Sequence, residues 1–179
     1  MSRRIILALA IILSAALSAI AGVKIAGVEF VPKDLIFAAP ESKGRATADG
    51  DLPDQCKWYF TSETRLGRRE EPQGCIRFYF KTTVTLTASC PAPNEKTSVR
   101  TAERITATDP RCPDSSGKVK EPPLEARALS SGTAVDGRKQ DVVLQPDGTR
   151  VTLIYDSSSA VAAVAWPDGT ADTLQVPVK

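Results

Sequence analysis

The chain has no histidine, one methionine, and aromatic side chains at 6% of its 179 residues. Without imidazole, serine–histidine and cysteine–histidine catalytic units of the usual kind are excluded, and so are histidine-ligated metal sites. A Ser–Lys pair or a carboxylate dyad needs no imidazole and stays open. Excess charge is missing as well. Of the 23 basic residues, Arg3 and Arg4 stand in an acid-free leader, and the remaining 21 equal the 21 acidic residues in number. A nucleic-acid binder needs a clustered excess of Lys and Arg to displace counterions, so no nucleic-acid partner is expected. Close-set cysteine pairs of the zinc-site kind are absent too: Cys56, Cys75, Cys90 and Cys112 follow one another at spacings of 19, 15 and 22. No metal and no cofactor is expected.

What is present begins with an address. Met1-Ser2-Arg3-Arg4 is a short basic start, and Ile5 to Leu17 is almost unbroken Ile, Leu and Ala. Ala19-Ile20-Ala21 then offers a small-x-small site just before Gly22. This is the layout of a secretory signal peptide over residues 1–21, with Ala19, Ala21 and Gly22 at the cleavage site. The alternative is an uncleaved anchor helix that holds the protein to a membrane. Ile5 to Val23 approaches the length of about 20 apolar residues that a spanning helix needs. Either way the chain is expected to be exported, to a periplasmic or extracellular location. An even number of cysteines in an exported chain reads as two disulfides.

The rest predicts a mostly β protein with a small stapled antiparallel unit and a C-terminal meander. Residues 22–55 read as short strands and a linker rich in Ala, Pro, Gly and Asp. Residues 56–112 read as the disulfide-stapled β unit. In it, Lys57 to Thr61 is aromatic and strand-like, and Arg65 to Gly74 reads as a charged turn. Alternation then holds over a long run. Ile76, Phe78, Phe80, Val84, Leu86, Ala88 and Cys90 fall on one face, broken by Thr82. Arg77, Tyr79, Lys81, Thr83, Thr85, Thr87 and Ser89 fall on the other, which is strong support for a half-buried strand. The length predicts a bend or bulge near Thr82–Thr83. If Thr97 to Thr108 returns antiparallel, Cys75 approaches Cys112 and leaves Cys56 for Cys90. Four cysteines allow three pairings, and spacing alone does not choose among them.

Residues 113–140 read as a loop or linker, and residues 141–179 as a meander of hairpins. Pro146-Asp147-Gly148-Thr149 recurs as Pro167-Asp168-Gly169-Thr170, a shift of 21. Pro presets one turn dihedral and Gly accepts a positive φ, so each copy reads as a tight hairpin turn. Residues 146–176, with Tyr155-Asp156 at a strand end and Gly148 and Gly169 in turns, resemble the tyrosine–aspartate (YD) repeat of Rhs-type shell proteins. Ser157 stands where that pattern has glycine, and Gln175-Val176 where the next Tyr-Asp would fall. The resemblance implies similar hairpin chemistry. A single repeat cannot build a shell, because stacked units need neighbours to bury their faces.

The remaining candidates are contact residues rather than catalysts. Trp58, Tyr79 and Trp166 are candidate exposed aromatics, Tyr79 because it falls on the polar face of its strand. Arg68 and Arg69 offer an anion contact but sit among Glu63, Glu70 and Glu71. Asp147 and Asp168 are explained as turn residues. No convergent catalytic constellation emerges, so no catalytic residue is assigned. The expectation is an exported, non-enzymatic structural or binding component of a bacterial-type cell envelope, appendage or virion assembly, with protein partners. The alternatives are a secreted inhibitor or adhesin-like module and, more distantly, a carboxylate-based hydrolase of wall polymers.

Overall fold

The computed structural model describes residues 32–93 and 95–176. The expected signal or anchor segment, with Ala19, Ala21 and Gly22, lies outside the described residues, as do residues 22–31 of the stretch 22–55 that reads as short strands and a linker. The described chain is β throughout apart from two single turns of 3-10 helix. Nine strands form two antiparallel meanders. The first sheet contains β1 (Arg45–Asp51), β2 (Lys57–Glu70), β3 (Ile76–Cys90) and β4 (Lys96–Ala107), in that order. The second contains β5 (Arg127–Thr133), β6 (Lys139–Leu144), β7 (Arg150–Tyr155), β8 (Ala160–Ala165) and β9 (Ala171–Val176), again in chain order.

The alternation of β3 produces the buried face it predicts. Phe78, Phe80, Val84, Leu86 and Ala88 are all buried. The expected bulge at Thr82–Thr83 is absent, since β3 keeps one continuous register with β2 and with β4 through both residues. Thr82 stays in line because its buried hydroxyl has a partner. It lies 2.8 Å from the Thr64 hydroxyl, which in turn donates to Gln145 Oε1 at 2.9 Å. Thr64 spends its single proton on Gln145, so Thr82 is the donor of the pair. Gln145 Nε2 donates onward to Ser62 Oγ at 2.7 Å. A polar chain thus crosses the core, with every link made.

That chain also explains why β2 runs through the stretch read as a charged turn. Its inward positions after Phe60 are Ser62 and Thr64, both fully buried. Polar inward residues erase the hydrophobic period, while the backbone remains paired with β3 from Lys57↔Ser89 to Glu70↔Ile76. The hairpin turn falls later, around Pro72–Gly74. β1 forms inside the stretch read as linker. It is an edge strand of small and charged residues whose inward half is Ala46, Ala48 and Gly50, too weakly apolar to show a pattern. β5 likewise forms inside the expected 113–140 loop.

Both disulfides lie in the first sheet. Cys56 joins Cys90, and Cys75 joins Cys112. An antiparallel return after residue 90 leads to this pairing. Tyr79↔Ala107 extends the β3–β4 ladder, and Ile76 pairs with Arg111, which sets Cys75 against Cys112. Two disulfides belong to an oxidising, exported environment rather than a reducing one.

The two sheets face one another across a shared cluster. Trp58, Phe60, Val84 and Leu86 come from the first sheet; Leu153, Val164, Trp166 and Val176 come from the second. β9 lies over β3 and β4, and β8 over β3. The five-stranded sheet therefore stacks on the four-stranded one, with β5 as its far edge strand.

Candidate interaction surface

The turns of the second sheet are built alike. In both Pro-Asp-Gly-Thr copies the residue before Pro closes the turn: Gln145 N–H donates to Thr149 C=O and Trp166 N–H to Thr170 C=O. The Asp accepts from the Thr backbone N–H and hydroxyl two residues on. Gly148 and Gly169 take φ of 91° and 84°, which glycine alone adopts without strain. The preceding residue is buried in both copies, as Gln145 and Trp166. A third copy, Val135-Asp136-Gly137-Arg138, joins β5 to β6 with the same hydrogen bonds from Gly137 to Ala134 and from Ala134 to Arg138. It lacks proline and repeats at a different spacing, so the sequence period hides it. Asp147 and Asp168 are turn residues, as expected, and do not form a pair. Hydrogen bonds from the Thr170 hydroxyl and backbone hold the Asp168 carboxyl below the usual carboxylate range. Asp156, capped by Ser158 and Ser159, and Asp136, bonded by Arg138, are lowered in the same way.

The three aromatic candidates are core residues, which corrects the expectation that they form an exposed contact. Trp58 is 1% exposed, and Tyr79 and Trp166 are 3% exposed. Trp58 stands on the inward phase of β2, tilted against Tyr155 with ring centroids 5.1 Å apart. Its cross-strand neighbour Gly50 leaves room for the indole, since a Cβ there would come within 2.6 Å of Nε1. Trp166 donates through Nε1 to Asp172 at 2.7 Å and carries the Arg104 guanidinium on its ring, 5.3 Å from the centroid. Tyr79 does sit on the outer phase of β3, but there it is flanked by the small residues Gly67 and Ala107 and is covered. Among the described residues the exposed aromatic is Tyr59. Arg68 and Arg69 are exposed at the end of β2. Arg68 lies 3.8 Å from an equally exposed Glu121, a solvated pair of little energetic weight.

A cleft of about 530 Å³ opens between β1 and the turns after β5 and β7, lined by Asp49, Gly50, Trp58, Arg138, Tyr155 and Asp156 among others. Burial, then a hydrogen bond donated to Asp141, raises the Tyr155 phenol above its ordinary range. Among the described residues no group of carboxylates and thiols is arranged to hold a metal ion.

The strand edges differ more than the faces. A sheet edge presents unpaired N–H and C=O groups and invites another strand unless charge, proline, a bulge or cover blocks it. β1 carries Arg45, Asp49 and Asp51; β4 carries Lys96, Arg100, Glu103 and Arg104. β9 is held under β4, where Arg104 pairs with Asp172 at 3.5 Å. β5 has no cover, and its one charge is Arg127 at its first residue. From Ala128 to Val135 the sequence is Ala-Leu-Ser-Ser-Gly-Thr-Ala-Val, without an ionisable group. All seven residues of β5 are exposed, on both faces. A Cβ built on Gly132 would meet nothing within 4 Å. A bulge between Ala128 and Ser130 is a second guard, after which Ser130 to Thr133 return to register with β6. No sequence signal marks this surface, because a strand exposed on both faces has no hydrophobic period. The chain matches no protein-family model, no curated protein and no solved structure.

Proposed function

We propose that this protein is an exported, non-enzymatic structural or binding component of a bacterial-type cell envelope, an appendage or a virion assembly, and that it docks a protein partner by strand addition along β5. The observation that carries this reading is the uncovered β5 edge, free of charge beyond Arg127, on a sandwich whose other edges are charged or covered. Strand addition draws affinity from main-chain hydrogen bonds and needs no deep pocket.

The test is capture of the disulfide-bonded protein by an envelope or particle fraction, compared with Ser131→Lys. A lysine at this exposed position leaves the core untouched and puts a charge on the edge. Capture of the wild type and its loss in the variant supports the reading. Equal capture of both refutes β5 as the docking edge.

A second reading, a secreted inhibitor or adhesin-like module, is favoured by the cleft beside Trp58 and Tyr155. Its volume falls in the range of ligand sites, about 300–1,000 Å³. A soluble monomer that binds one partner, with binding lost on Arg138→Ala rather than Ser131→Lys, selects it.

A further inference from the structure

We infer that the Cys75–Cys112 bridge is a thiol–disulfide exchange site, opened through Cys112 by a dithiol, and that its opening frees the segment from Cys112 to Glu121 while both sheets stay paired. The inference does not depend on the reading of β5 as a docking edge. It comes from how differently the two bridges are placed.

Cys56–Cys90 is enclosed. Cys56 is 9% exposed and Cys90 is half-buried. The β2–β3 ladder starts at the next pair, Lys57↔Ser89, and Cys90 itself is paired with Lys96 on β4. When this bridge is cut, the flanking strands hold its two thiols opposed, and it re-forms.

Cys75–Cys112 is enclosed on one side only. Cys75 is 6% exposed and stands one residue before Ile76, which is paired with Glu70 on β2. Cys112 is exposed, and so is every residue from Arg111 to Lys118. Its nearest backbone support is the isolated pairing of Arg111 with Ile76. Beyond it the chain forms no strand before Arg127. Pro110 and Pro113, on either side, have no N–H to donate. Between Cys112 and Glu121 the backbone hydrogen bonds are those of one turn, from Asp114 to Lys118. Glu121 has its exposed ion pair with Arg68, and burial resumes only at Pro122. A segment with few buried contacts and exposed backbone opens at low cost.

Access decides which sulfur is attacked. A thiolate of the dithiol attacks Cys112 Sγ and forms a mixed disulfide. The electron pair of the broken S–S bond leaves on Cys75 Sγ, which takes up a proton. The second thiol of the reagent, deprotonated, then attacks the reagent's own sulfur in the mixed disulfide and releases Cys112, which is protonated in turn. The protein gains two electrons and two protons, and the dithiol becomes a disulfide. The partner this fits is the Cys-x-x-Cys pair of a protein oxidoreductase, whose attacking thiol ionises readily.

Limited reduction of the folded protein by dithiothreitol, quenched at intervals with iodoacetamide, gives each bridge its own rate by peptide mass spectrometry. Cys75 and Cys112 should be alkylated at least about tenfold faster than Cys56 and Cys90. With this one bridge open, amide hydrogen exchange should quicken over residues 112–121 and stay unchanged in the β2–β3 ladder. A thioredoxin whose second active-site cysteine is changed to serine should be trapped on Cys112.

Equal rates, or faster opening of Cys56–Cys90, overturn the inference. Exchange that quickens through the ladder also overturns it, because the bridge is then a staple of the whole fold. A thioredoxin trapped on another cysteine, or on none, overturns the assignment of a protein dithiol as the partner.

Discussion

Gln145→Ala should destabilise the protein far more than the loss of one polar side chain on a turn suggests. Gln145 is 2% exposed and joins the two sheets, accepting from Thr64 at 2.9 Å and donating to Ser62 at 2.7 Å. Truncation leaves both hydroxyls buried, Ser62 without its donor and Thr64 without its acceptor. A buried polar group deprived of its partner costs about 1–3 kcal/mol, so the two together cost about 3 kcal/mol, before any term for the space left behind. Urea unfolding with the disulfides intact measures it, with the fluorescence of the buried Trp58 and Trp166 as the signal. Thr64→Val on its own should cost about 1–2 kcal/mol, because it orphans one acceptor and one donor that Thr82 and Gln145 partly redirect. Combined with Gln145→Ala it should cost less than the sum, with a coupling of at least about 0.5 kcal/mol. A Gln145→Ala loss below about 0.5 kcal/mol, or strict additivity with Thr64→Val, would show that the polar chain does not hold the sheets as a unit.

Three further outcomes follow from the same structure. Replacing Cys75 and Cys112 together by Ala opens a loop of separation 37, for which the chain-entropy relation gives a loss of about 4 kcal/mol in urea unfolding; a loss under about 1 kcal/mol contradicts a mainly entropic role. Gly50→Ala pushes a methyl toward Trp58 Nε1, so the indole must shift, at a cost of about 1–3 kcal/mol and with a red-shifted emission; unchanged emission and stability would mean the indole has room to spare. The lowered turn carboxyls of Asp136, Asp156 and Asp168 add stability that is present above the ordinary carboxylate range and is lost as pH falls through their folded values. Carbon-detected NMR titration should place each below about 3.9, and a value at or above that removes the turn bonds as a source of acid sensitivity.

Much of the fold is legible where one face of a strand is apolar and the other is not. β3 shows its alternation over fifteen residues, and the return of β4 brings Cys75 to Cys112. The Pro-Asp-Gly-Thr turns are readable because Pro and Gly carry their backbone angles in their chemistry. What the sequence hides has physical causes. The inward face of β2 turns polar at Ser62 and Thr64, and the partner that makes this affordable, Gln145, lies more than eighty residues away. A strand pattern assigns alternate residues to two faces but does not say which face is covered by another part of the chain, so the sequence offers Trp58, Tyr79 and Trp166 as candidate contacts although all three are buried. β5, the proposed docking edge, carries no pattern, since neither of its faces is buried.

The positions of the two bridges have a mechanical consequence. The loops 56–90 and 75–112 interlock, so tension applied across the first sheet need not travel along the whole chain. From Cys56 it crosses to Cys90, runs back along β3 to Cys75, and crosses to Cys112. The load-bearing contour is then the 15 residues between Cys75 and Cys90, in place of the 56 that separate Cys56 from Cys112. At about 3.4 Å per residue, full extension of this segment is limited to about 50 Å, where an unbridged chain would give about 190 Å. Stretched by its ends, the first sheet would act as a short inextensible link, and the bridge-free second sheet would be the part that yields.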